Sequence, residues 1–120
     1  MPMSEVRENH VVALSSIRPR VLTGFFERMH GLLGRDGLPE GEVYMFPRCG
    51  SVHTFGMRFA IDIAFLDREG RVLAVHANVR PGRMVFGGLR AATTVEAQAG
   101  WLAKSLSPGD RFPVIAPHGA

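Results

Sequence analysis

From residue 54 to residue 65 the chain alternates strictly. Phe55, Met57, Phe59, Ile61, Ile63 and Phe65 are large and apolar, while Thr54, Gly56, Arg58, Ala60, Asp62 and Ala64 are small or polar. Period two over that length predicts extended chain, because successive side chains of a strand point to opposite faces. One long bent strand, or two strands meeting near Ala60, both fit the pattern. The odd face is assigned to the core. The even face is the unusual one, since it carries Arg58 and Asp62 among residues too small to cover them.

An earlier stretch has a different period. Val21, Leu22, Phe25, Phe26, Met29, Leu32 and Leu33 recur at spacings of three and four, which predicts an amphipathic helix. Pro19 suits its first turn, where the missing N–H is not needed, and Gly34 its end. Short strands are predicted over residues 11–17, 42–47, 71–79, 92–97 and 111–115, and a short helix over 100–106. The Asp67-Arg68-Glu69-Gly70 segment reads as a hairpin turn, with glycine where a left-handed backbone is needed. Residues 81–88 form a glycine-rich loop holding Met84, Val85 and Phe86. No βαβ rhythm is present, so the expected class is α+β and mainly β. We expect a compact antiparallel sheet, partly closed toward a barrel, with one long N-terminal helix and one short helix. The expected plan is a loose N-terminus over 1–10, a single domain over 11–115 and a tail over 116–120.

Composition narrows this only slightly. A chain of 120 residues supports one domain with one modest core. The net charge is +3, and Lys104 is the only lysine. The arginines are scattered, and one tryptophan and one tyrosine offer little for base stacking, so nucleic-acid binding is not expected. Residues 11–14 are too short an apolar run for a signal peptide, and no run approaches the ~20 apolar residues of a membrane span. Cys49 is the single cysteine, which suits a reducing compartment. The expectation is a cytoplasmic protein.

Several segments occur together in a distinctive order: GLLGRDGLPEG at 31–41, HTFGMRFAIDIAFLD at 53–67, then VEAQAGW at 95–101 and PGDRF at 108–112. The set resembles the small bacterial and archaeal family known as domain of unknown function 192, over roughly residues 28–114. The resemblance implies a compact β-rich domain with a preceding helix, and it implies no reaction. Two positions depart from the family pattern: Ala60 stands where proline is usual, and Gly56 where many relatives have a bulky aromatic. Both shrink the even face, which either opens a cavity there or lets another element pack closer.

The candidate chemistry is sparse. Cys49 and His53, with Asp62 and His76, match a zinc site poorly in spacing and ligand count; no metal or cofactor is expected. Cys49 and His53 are the catalytic candidates, a thiolate and its base, but no oxyanion hole accompanies them. Arg58 and Asp62 would stand roughly 13 Å apart on a straight strand, nearer if the chain bulges at Ala60. Structurally, Asp62 anchors backbone N–H groups of a neighbouring loop and Arg58 pairs with an acid such as Glu96. Functionally, the two mark a polar pocket for an anionic or hydroxylated ligand. The 82–88 loop lacks the phosphate-loop signature; it reads as a flap over the even face, with Met84 and Phe86 as contacts, or as the close of a core edge. Arg35 and Asp36 read as a loop-fixing ion pair. The binding candidates are therefore His53, Arg58, Asp62, Met84 and Phe86. The favoured reading is a non-catalytic accessory domain that holds an unknown small ligand or protein segment. The alternative is a small hydrolase or transferase using Cys49, His53 and Asp62, and nucleic-acid binding ranks last.

Overall fold

The computed structural model describes residues 18–21 and 35–112. Seven strands and one short helix lie among them. In chain order they are β1 (Arg18–Val21), β2 (Glu42–Pro47), β3 (Ser51–His53), β4 (Ile61–Leu66), β5 (Val72–Val79), β6 (Met84–Phe86), β7 (Thr93–Gln98) and α1 (Trp101–Ser105). Five strands form one sheet in the order β1-β2-β7-β4-β5, and β3 pairs with β6 in a separate ribbon.

The central strands β2, β7 and β4 are buried on both faces; β2 and β4 accordingly read as nearly continuous apolar runs, whereas β7 also buries Thr93, Thr94 and Glu96. Val43, Met45, Ala64, Leu66, Val95 and Ala97 line one face, where Leu102 of α1, Leu106 just after it and Phe112 cover them. Tyr44, Phe46, Ile61, Ile63 and Phe65 line the other, together with Leu38, Cys49 and Met57. Val52 and Val85 of the ribbon pack on this second face. The fold is thus layered: helix, sheet, ribbon. Each fully buried large side chain contributes about 1.5–3 kcal/mol, so covering both faces is what makes the thin α1 and the short ribbon worth ordering.

The alternating stretch is not one strand, nor two that meet at Ala60. It breaks over residues 54–60, between β3 and β4. The Met57 N–H donates to the Thr54 carbonyl, closing a turn, and Gly56 inside it has a φ of 83°. A left-handed residue ends strand geometry however regular the side-chain sizes are, and glycine adopts it without strain. The even face of β4 is likewise not open: Ala64 and Leu66 lie in the core under α1. Gly56 and Ala60, the two positions that depart from the family pattern, lie outside β4 in the 54–60 segment, Gly56 exposed and Ala60 half-buried.

At its start the predicted helix is replaced by strand. Residues Arg18 to Val21 are β1, paired in parallel with β2 from Arg18↔Glu42 to Val21↔Met45. Pro19 is tolerated there because β1 is an edge strand, where a missing donor can face away from the ladder. The remainder of the helical pattern, the strand at 11–17 and both termini lie outside the described residues. Nor does the sheet close toward a barrel among the described residues, since β1 and β5 are its two edges. The expected last strand reduces to a single bridge, Arg71↔Arg111, with 113–115 outside the described residues.

The hairpin turn is present. The Asp67 Oδ1 accepts the N–H groups of Glu69 and Arg71, both at 2.9 Å, and Gly70 takes a φ of 84°. Beyond it β5 bulges against β4, the register slipping between Ile61↔Val79 and Ile63↔His76. Asn78 sits in the slip with a φ of 52°.

Candidate functional site on the β3–β6 ribbon

The ribbon pairs Ser51 with Phe86, Val52 with Val85 and His53 with Met84. Side chains alternate across a strand, so with Val52 and Val85 turned to the core, the other four project outward. Met84 is 59% exposed and Phe86 68%. Phe55, in the turn after β3, is 51% exposed and stacks on His53 with ring centroids 5.3 Å apart. The Phe55 N–H donates to His53 Nδ1 at 3.3 Å. Three of the predicted binding residues, His53, Met84 and Phe86, therefore meet on one surface, and Phe55 joins them. Met84 and Phe86 do not close a core edge, and the ribbon covers the odd face of β4 rather than the even one.

Two local features hold this surface in place. Thr54 is fully buried; its hydroxyl donates to the Arg80 carbonyl at 2.7 Å and accepts the Arg83 N–H at 2.9 Å. Its own N–H donates to the Arg83 carbonyl at 2.8 Å, so one side chain and its backbone fasten the loop that enters β6. At the other end, a Cβ added to Gly87 would lie 2.5 Å from the Phe65 ring. Only glycine lets the ribbon settle that close to the sheet.

The remaining candidates lie elsewhere. Cys49 is buried in the core beneath the ribbon, and its thiol donates to the Ser51 carbonyl at 2.9 Å. Asp62 is on the opposite face of the sheet, wholly buried. Its Oδ1 accepts the Asn78 N–H at 2.8 Å and its Oδ2 the Ala103 N–H at 2.9 Å. His76 meets the Phe65 ring edge-on at 5.7 Å. Cys49, His53 and Asp62 thus do not converge. Among the described residues no group of three or more His, Cys, Asp or Glu side chains is placed to hold a metal ion.

Arg58 pairs with Asp36 at 3.2 Å on the surface, not with Glu96, which is buried within β7 between Tyr44 and Ile63. Asp36 therefore does not pair with Arg35, whose guanidinium donates to Glu42 at 3.0 Å and to the Tyr44 hydroxyl.

Beside the ribbon lies an open groove of about 910 Å³. Arg48, Arg68 and Arg90 line it, with Leu89, Asp67 and Glu69. The Cys49 N–H donates to the Ala92 carbonyl at 3.2 Å, which brings the segments carrying Arg48 and Arg90 side by side. Arg48 holds a left-handed φ of 57°, and Leu89 is fully exposed. The arginines that look scattered in sequence are gathered by the fold. Segments 48–61 and 77–95, which build the ribbon and its flanks, carry five arginines and no acidic residue. That absence of acid is the sequence signal by which these arginines could have been found.

Residues 7–114 match the family DUF192, described as "Uncharacterized ACR". The chain belongs to this family. The match reaches further toward the N-terminus than the motifs that carried the resemblance. Two solved structures share the fold. One is a protein of unknown function from Novosphingobium aromaticivorans DSM 12444, with a TM-score of 0.70 and 22% identity over 79% of this chain and 73% of that one. The other, from Sinorhizobium meliloti 1021, is provisionally described as a transcription regulator; it has a TM-score of 0.71 and 20% identity over 79% of both chains. At such identities the likeness speaks for the fold alone. Comparison with curated proteins finds no match. Among the described residues no helix is long and apolar enough to cross a membrane.

Proposed function

We propose that this DUF192 member is a non-catalytic binding domain that holds a ligand or partner segment on the outer face of the β3–β6 ribbon. The carrying observation is the exposure of Phe55, Met84 and Phe86 on one small surface. The largest apolar patch of a monomer is often its functional one, and interface cores are enriched in aromatic residues, Met and Arg. The sheet beneath the ribbon supplies a rigid platform. We place the protein in the cytoplasm, a reading supported by its free thiol at Cys49.

Support for binding over thiol chemistry comes from the separation of the three candidate groups. A nucleophile must lie within hydrogen-bond reach of its base, and the base of an orienting carboxylate. Here the carboxylate of Asp62 faces the α1 side, while Cys49 and His53 belong to the ribbon side. The test is twofold. A fragment screen by backbone amide NMR should perturb residues 51–55 and 84–86, and perturbations confined to any other surface would remove the reading. Iodoacetamide should modify Cys49 slowly in the native protein and fast in denaturant; rapid native alkylation would restore the enzyme alternative.

A further inference from the structure

We infer that the occupant of this surface is an acidic, apolar protein segment. It would set its apolar residues on Phe55, Met84, Phe86 and Leu89 and its carboxylates on the arginines at the ribbon's two ends. This deepens the reading above and rests on it.

Charge complementarity carries the inference. Arg80 and Arg83 bracket the Thr54 end of the ribbon, through their backbone bonds to Thr54. Arg48 and Arg90 stand in the groove at the other end. Among the described residues none of these four, nor Arg68, has a carboxylate partner; the ion pairs there are Arg35–Glu42 and Arg58–Asp36. Arginine positions therefore flank both ends of an apolar ribbon only three residues long, about 10 Å. Guanidinium groups offer forked donors that match a carboxylate in two parallel bonds. A short segment with apolar anchors flanked by Asp or Glu can reach both ends at once.

A nucleic acid would meet the same arginines, but the groove disfavours it. Asp67 and Glu69 also line the groove. A phosphate backbone carries charge at every nucleotide and would run past both acids. A peptide can place its few carboxylates opposite the arginines and nowhere else. Phe55 and Phe86 are exposed rings, but Met84 and Leu89 beside them have none to offer a base and suit apolar side chains.

The experiment is peptide display on the whole protein, with a random 16-residue library. It is repeated on Arg48→Ser/Arg90→Ser and on Met84→Ser/Phe86→Ser, with circular dichroism checking that each variant is folded. Enriched peptides should combine Asp or Glu with Phe, Leu, Ile or Trp. A representative synthetic peptide should lose about tenfold in affinity on either double variant, or roughly 1.4 kcal/mol, and should weaken as salt is raised. Peptides enriched in apolar residues without acids, lost on the ribbon variant but not on the arginine variant, would overturn the acidic partner and leave the binding face standing. Failure to enrich any peptide, or tight salt-sensitive binding of a 16-nucleotide DNA strand instead, would overturn the inference; with the NMR screen also silent at the ribbon, the binding reading would fall too.

Discussion

Asp62 is where a single residue decides the most. It emerges from β4 on the helix side, and α1 has only Gly100 at its N-cap, with no side-chain cap. The first N–H groups of a helix need acceptors, and Asp62 supplies one from a different element through Ala103. Its second oxygen holds Asn78 in the β5 bulge. One buried carboxylate thus ties the helix and the bulge to the sheet. Removing it leaves two amides unsatisfied, at about 1–3 kcal/mol each. We expect Asp62→Ala to lower unfolding stability by about 2–5 kcal/mol in urea titration; a loss under 1 kcal/mol would mean water replaces it freely. Thr54 plays the corresponding part for the ribbon. Thr54→Val keeps the volume and removes both loop bonds, and should cost about 1–3 kcal/mol by the same measurement. The sequence suggested backbone anchoring for Asp62 but not which amides it holds, and it suggested no role for Thr54, because every partner atom belongs to a distant segment.

At the scale of elements, the ribbon depends on close approach more than on pairing, for three residue pairs are marginal alone. Gly87→Ala places a methyl against Phe65 and Ala91, so either the ring or the ribbon must shift. Overpacking of this kind costs typically about 1–3 kcal/mol. Amide shifts for the variant should spread along 50–53 and 84–91 while α1 stays unchanged; shifts on the α1 side would contradict the layering. The hairpin at 67–70, strands β2, β5 and β7 and the helix α1 were legible because local rules decide them: turn chemistry, runs of β-branched and apolar residues, a short apolar periodicity. The strand expected through residues 54–60 was not, since size alternation is blind to a left-handed turn. The strand at Arg18–Val21 was missed because a parallel partner outweighed a local helical spacing.

Across the whole molecule, protection from solvent should follow burial on two faces. Strands β7 and β4 lie at the centre of the sheet between both cores, while the ribbon covers only one side. Native-state hydrogen exchange samples local openings below the global unfolding energy. The amides of Val95 and Ile63 should exchange at least ~100-fold more slowly than those of Val52 and Val85. Equal rates would mean the ribbon and sheet open only together. An independently opening ribbon would also permit the binding face to adjust to its occupant.

By itself the sequence determined the mainly β class, the family and the segments that become most of the strands, because these follow from local periodicity, turn residues and ordered motifs. It also named His53, Met84 and Phe86, three of the four residues on the ribbon's outer face. Only the tertiary structure decided which faces are covered, that the Asp62 carboxylate lies on the opposite side of the sheet from Cys49 and His53, and that the distant Arg48, Arg68 and Arg90 line one groove. The physical reason is range: a strand's period is set within a few residues, whereas what lies over its face is set by chain many residues away.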